Sequence, residues 1–267
     1  MADSGNNGTN SERGGSGRPG SAGGTTGGQP AGGSVLSFMM TNKVESALWL
    51  TRLFTVICTF LFFLPIIGGS PYGFYQRAFI SNAATSALRL HQRLPNFQFN
   101  RQFLSLLLAE DSCHYLVFSI LFMNSYPLSM ALIPVFLYAL LHACNYTVQI
   151  LNVMGPSSMQ FVRNMIIKLQ AQQVGILRFI ACTEIFIMPA VFLMTFTGRC
   201  TIFLPVIYYR FLLLRYSSRR NPYCRTLFHE MRLTIEYLCN KPQCPAMIRN
   251  MLTKAIAVIS RLAPTVA

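Results

Sequence analysis

Between residues 37 and 216 the chain is a succession of apolar runs, several of them near the length of a bilayer crossing, broken by proline and short polar steps. It then stops at the basic stretch Arg215–Arg220. About 20 apolar residues at 1.5 Å per residue cross a hydrocarbon core of ~30 Å, so the body reads as membrane helices. With 52% hydrophobic and 11% charged residues, the composition is that of a polytopic membrane protein and not of a soluble domain with an apolar core. The fold class expected is therefore all-α: a polytopic helical membrane protein followed by C-terminal amphipathic helices.

The chain divides into three regions. Residues 1–36 form a Gly/Ser-rich tail, with 12 of the 18 glycines falling before residue 35. This tail has neither the basic start nor the apolar run of a cleaved signal and is expected to be disordered. Residues 37–216 are the membrane domain, and 217–267 the basic amphipathic region.

Order is expected to begin near Phe38, with Asn42 and Glu45 spaced like a capping box ahead of a first span over 47–67. Arg52, near the start of that span, is expected to reach toward headgroups. A weaker helical pattern covers 72–94. Apolar runs follow over 103–124 and 127–150, with a turn at Asn124–Pro127 that would make them a hairpin. Further runs cover 176–197 and 202–216. Three spans are firm on this reading, and up to six membrane helices fit as hairpins. Six would put both termini and the loops carrying Arg93, Arg101, Arg163 and Lys168 on the cytosolic side, while three would send the N-terminus and the 150–175 loop to the lumen. The sequons at Asn7 and Asn145 can report which is correct. Pro65, Pro134, Pro189 and Pro205 lie within apolar runs and predict kinks or short, shallow helices.

The titratable residues within these runs are few. Glu110, Asp111 and His114 cluster, and on one continuous helix Glu110 and His114 share a face. Glu184 falls in mid-span, where a bare carboxylate is costly, so it is expected to be protonated or paired, for instance with Arg52 or Arg178. These four residues are the intramembrane polar candidates, read either as interhelix pairs or as a proton or ion relay. The eight cysteines include no CxxC pair. Cys224, His229, Cys239 and Cys244 match no common ligand spacing, so no metal site and no cofactor is expected. Nucleotide loops, HExxH and nucleophile elbows are absent, and the chain reads as a non-enzyme.

Ten of the 22 Lys and Arg lie from Arg210 onward, against only Glu230 and Glu236, which places the C-terminus in the cytosol. Leu227, Phe228, Met231 and Ile235 recur at helical spacing after Pro222. A second stripe after Pro245 carries Met247, Ile248, Met251, Leu252, Ile256 and Ile259, with Arg249, Lys254 and Arg261 mostly opposite. These are the candidate membrane-surface residues. About six large side chains at ~1.5 kcal/mol each outweigh three basic residues worth about 1 kcal/mol apiece, so insertion should dominate and survive moderate salt. Packing of both helices onto the membrane domain is the competing reading. Nucleic acid is not an expected partner, because no aromatic stacking platform accompanies the basic run.

Five segments carry a resemblance: Phe38–Lys43 (FMMTNK), Ser86–Pro95 (SALRLHQRLP), Glu110–Tyr115 (EDSCHY), Tyr209–Arg225 (YRFLLLRYSSRRNPYCR) and Ile259–Pro264 (ISRLAP). In this order they are similar to the transmembrane protein 33, or Krüppel homologue 2, family, from about residue 36 to the end. The resemblance implies a multi-pass protein of the endoplasmic reticulum membrane and nuclear envelope. It also implies reticulon-type and other endoplasmic reticulum membrane partners, nuclear pore components in relation to pore distribution, modulation of the unfolded-protein response, and membrane contact by the C-terminal helices. It supplies no catalytic residue. The function expected is a non-enzymatic organiser of that membrane, acting on the lipid bilayer through hairpins and amphipathic helices. The alternative is a small pH-sensitive channel or transporter-like protein using Glu110, His114 and Glu184.

Overall fold

The computed structural model describes residues 31–64, 68–94, 100–155, 157–218 and 221–263. The Gly-rich tail through residue 30, with Asn7, lies outside these residues, as do Pro65, Arg219, Arg220 and Pro264. Among the described residues every regular element is a helix: α1 (Ala31–Thr41), α2 (Lys43–Phe63), α3 (Pro71–Arg93), α4 (Arg101–Ala109), α5 (Asp111–Met123), α6 (Ser129–Met154), α7 (Gln160–Ala171), α8 (Gln173–Phe196), α9 (Phe203–Ser217), α10 (Tyr223–Cys239) and α11 (Ala246–Leu262). Helices α2, α6 and α8 are long and apolar enough to cross a membrane, and the bent pair α4–α5 is a fourth candidate.

The observed boundaries depart from the expected ones in instructive places. Among the described residues the first helix already runs from Ala31, ahead of the expected start near Phe38. The capping box does not form, because the Asn42 side chain turns back to donate to the Phe38 carbonyl at 3.3 Å and makes no cap bond to α2. The run 103–124 is not one helix. It breaks at Glu110, whose backbone is extended, and α4 and α5 meet at 77°. Asp111 restarts the chain in the first turn of α5, where its charge complements the exposed N–H groups. Pro134 and Pro189 lie inside α6 and α8, which run on through them, whereas Pro205 occupies the first turn of α9, where no N–H is needed.

Six helices pack side by side in a ring, in the order α2, α3, α5, α9, α8, α6 and back to α2. Contacts between them fix their directions. Ser46 of α2 meets the Tyr146 hydroxyl of α6 at 2.7 Å, and Gln92 of α3 reaches Glu45 of α2 at 3.4 Å. At the opposite end the Leu128 N–H donates to the Tyr75 hydroxyl at 3.3 Å and Phe62 packs on Tyr75. Arg215 near the end of α9 meets Asp111 at the start of α5, so neighbours around the ring alternate in direction; α2–α3 and α8–α9 pack as antiparallel hairpins, whereas α5 and α6, expected to form a third, are joined by a turn but pack against other helices. The three turns lie together at one end, and the start of α2, α4, α7 and the end of α9 lie at the other. This arrangement puts the 150–175 loop and the end of α9 at the same end of the ring.

Between the helices the core is aromatic. Tyr75, Phe79, Phe118, Phe122, Tyr208 and Phe211 are buried in one cluster, with ring centroids of neighbours 4.7–6.2 Å apart. Edge and tilted contacts of this kind let wide rings interlock where small residues such as Ala78 and Ala131 bring backbones close. The face α3 turns inward is polar, and its side chains are satisfied across the interface: Ser81 donates to the Thr51 carbonyl at 2.7 Å, Thr85 to the Thr51 hydroxyl at 2.9 Å, and Asn82 to Ser119 at 2.7 Å.

The ring is lopsided. Helices α2 and α6, with 21 and 26 residues, are about 32 and 39 Å long, while α5 and α9 on the far side, with 13 and 15, reach only about 20 and 22 Å. A hydrocarbon core of ~30 Å is covered on one side and undershot on the other.

Candidate functional site

At the end of the ring away from the hairpin turns, Arg215 is 1% exposed and Glu184 fully buried. Arg215 Nε donates to Glu184 Oε2 at 3.0 Å, Nη1 to Asp111 Oδ1 at 3.1 Å, and Nη2 to the Tyr138 hydroxyl at 2.9 Å. Its guanidinium also lies over the rings of Tyr115 and Tyr138, 5.4 and 5.9 Å from their centroids. The second oxygen of Glu184 accepts from the Tyr115 hydroxyl, and its backbone carbonyl accepts from Tyr208 at 2.7 Å. Ser218 donates to Asp111 at 2.9 Å, and the Asn221 amide donates to Tyr138. One arginine thus ties α5, α6, α8 and α9 together just before the chain leaves the ring.

A guanidinium suits this position because its donors form a planar fork that serves several acceptors at once, and the flat cation stacks on aromatic faces. Taking two charges out of water is expensive, and only near-complete hydrogen bonding repays it. Here each carboxylate oxygen of Glu184 and all three nitrogens of Arg215 are engaged. The chemistry is that of a brace, since no group in it is left poised as a nucleophile or base.

The sequence-stated partners of Glu184 are not the observed ones. Arg178 points outward and pairs with Glu230 of α10 at 2.6 Å, and Arg52 lies elsewhere in the ring. Arg52 is 4% exposed and turns into the ring interior, where it lines the central cavity, rather than running along the outer surface of α2. Glu110 and His114 do not share a helix face, because the chain bends between them. Glu110 pairs with Arg93, while His114 Nε2 donates to the Leu108 carbonyl at 2.6 Å and so pins the α4–α5 bend. His114 Nδ1 stands 3.7 Å from Asp111 Oδ1, too far for a hydrogen bond. Arg215, Tyr115, Tyr138 and Asn221 were missed as site residues. The one signal for Arg215 was an arginine closing an apolar run.

The two C-terminal helices behave differently. Helix α10 is docked: Cys224 is buried against Ala181 and Ile185 of α8, with Leu227, Phe228 and Met231 packed on the same cluster. These three therefore face protein, and Ile235 is half-buried. Burial pushes the Cys224 thiol up to about 12, with the Glu184 charge adding to the shift and Arg215 opposing it. Helix α11 rests on α10 and has no buried residue. Leu252 and Ile256 are half-buried, whereas Met247 is 85%, Met251 62% and Ile259 53% exposed, with Ile248 beside them, and Arg249, Lys254 and Arg261 exposed as well.

The profile of the family described as Transmembrane protein 33/Nucleoporin POM33 matches residues 28–265. The chain belongs to this family. It is 55% identical to human Transmembrane protein 33 over 243 residues, 91% of this chain and 98% of the human protein. Krueppel homolog 2 of Drosophila melanogaster is 43% identical over 86% of the chain and 82% of its own length. A Transmembrane protein 33 homolog of Caenorhabditis elegans is 40% identical over 87% and 86%. No solved structure matches the chain. The chain that carries the brace and the lopsided ring is thus a member of a family of transmembrane proteins.

Proposed function

We propose that this chain is a non-enzymatic organiser of endoplasmic reticulum and nuclear envelope membrane, working as a wedge whose broad end faces the cytosol. The lopsided ring carries the reading. On its short side α5 and α9 undershoot the hydrocarbon core, and α4 is turned 77° away from α5 with Leu104, Leu106 and Leu108 exposed, as a helix lying in the headgroup layer would be. Helix α11 adds an uncovered apolar stripe at the same end. Together they enlarge the protein in one leaflet while its short helices draw the other leaflet inward.

Lys43, Arg93, Arg101, Arg163 and Lys168 lie at that end, against Arg77 and Arg199 near the hairpin turns, which supports a cytosolic placement of the broad end and of the C-terminus. Partners on this reading are the bilayer itself, reticulon-type and other endoplasmic reticulum membrane proteins that share curved membrane, and nuclear pore components, as the family description's "Nucleoporin" suggests. Modulation of the unfolded-protein response would follow from the state of that membrane. The satisfied brace around Glu184 favours this structural role over the proton path of a pH-sensitive channel.

The test is to reconstitute the full chain in giant vesicles and pull tubes from them. Enrichment of the chain in the tube relative to the parent vesicle supports the wedge, and equal density in both overturns it.

A further inference from the structure

At the centre of the ring, beside the brace, lies a polar cavity of about 270 Å³. It opens past the exposed residues Arg93, Asn145 and Gln173 and runs inward to Arg52, Tyr115 and Arg215. Among the described residues four arginines line it, Arg52, Arg89, Arg93 and Arg215, against one carboxylate, that of Asp111. Asp111 is already held by Arg215 and Ser218, and Arg93 by Glu110.

Arg52 is the decisive residue. It sits ten residues into α2, is 4% exposed, and its Nη2 has no hydrogen-bond partner. A buried guanidinium nitrogen left unsatisfied is costly, and native proteins keep such a group chiefly where something comes to meet it. Arg89 repels Arg52 from across the cavity, and Glu45, the nearest attracting carboxylate, is exposed and engaged by Gln92. His142 does not relieve the excess charge. Arg89 Nη1 lies 3.4 Å from its Nε2 and has only hydrogens to offer, so the imidazole accepts. The remaining wall carries Asn82, Thr85, Ser86 and Ser112.

We infer that this cavity is an anion site that takes a phosphate group, either the headgroup of a phosphate-monoester lipid or a soluble phosphate. Arg52 and Arg89 grip the phosphate oxygens, and the second N–H of the Asn82 amide and the Ser86 hydroxyl of α3 line the cradle beside them. The mouth lies at the same end of the ring as α4 and α7. The site stands independently of the wedge reading.

The full chain, purified in detergent, is incubated with mixed micelles of phosphatidylcholine with or without phosphatidic acid, and separately with inorganic phosphate. Bound species are read by native mass spectrometry and thermal stability by unfolding. Selective retention of phosphatidic acid, reduced at least about tenfold in Arg52→Gln and Arg89→Gln but unchanged in Arg178→Gln, assigns the site to a lipid headgroup. Stabilisation by inorganic phosphate alone, lost in the same two variants, assigns it to a soluble phosphate. Should Arg52→Gln fail to fold, Arg89→Gln carries the comparison. Neither ligand binding, or binding undiminished in Arg89→Gln, overturns the inference.

Discussion

Arg215 Nε lies 3.0 Å from Glu184 Oε2 in the interior of a membrane domain, each charge shielded from water and each supported by further partners. Such a pair is asymmetric in its consequences: removing one member leaves the other charge buried and alone. Arg215→Ala is expected to cost about 3–5 kcal/mol, and Arg215→Lys to recover only part, because an ammonium cannot serve the Glu184, Asp111 and Tyr138 acceptors together. Combining Arg215→Met with Glu184→Gln should cost at least ~1 kcal/mol less than the sum of the single changes. Thermal unfolding in detergent measures all five variants; strict additivity would remove the brace.

The alternating helix directions place Asn145 and the C-terminus at one end and the 197–202 turn at the other. In microsomes Asn145 should remain without glycan, while a sequon carried on a long insertion at Gly198 should gain one. Protease should remove the C-terminal helices from intact vesicles. Glycan on Asn145 would reverse the orientation.

Helix α11 is expected to lie in lipid through Met247, Met251 and Ile259. A fluorophore on Val258→Cys, itself an exposed position, should be quenched by brominated lipid in the reconstituted full chain. Met251→Asp with Ile259→Asp should abolish the quenching, because two carboxylates remove the apolar contact that dominates binding. Raising salt should alter it little.

Helix α10 is held by packing more than by charge. The exposed Arg178–Glu230 pair is worth about 0–1 kcal/mol, so Glu230→Gln should leave α10 docked. The Cys224 thiol, raised to about 12 by burial, should resist maleimide at pH 8 in the folded chain and react on denaturation. Since the folded thiol keeps its proton above the ordinary value of 9.0, it contributes stability below pH 9 that is lost as pH rises toward 12. Equal labelling rates in the folded and unfolded chain would show that α10 is not docked.

Much of the architecture was legible in hydrophobic runs: α2, α6 and α8 follow from length and apolarity, and α10 and α11 from apolar spacing after Pro222 and Pro245. The break at Glu110 was not, because nothing local distinguishes an acidic pair inside a helix from one that ends it. What decides is Arg93, 17 residues away, which holds Glu110, together with His114 pinning Leu108. The partner of Glu184 was missed for a similar reason. Arg178 is close in sequence, but at six residues' separation it falls on a different helix face, while Arg215 comes from another helix. Long-range pairing in a ring is set by which helices neighbour each other, and apolar runs of similar character do not encode that order.

The wedge depends on the difference in length between the long helices α2 and α6 and the short helices α5 and α9. The direct measurement is local bilayer thickness around the full chain in a lipid nanodisc, imaged by cryo-electron microscopy. Lipid visibly thinner beside α5 and α9 than beside α2 and α6, by several Å, is the predicted result. A bilayer of uniform thickness around the whole ring would contradict the wedge.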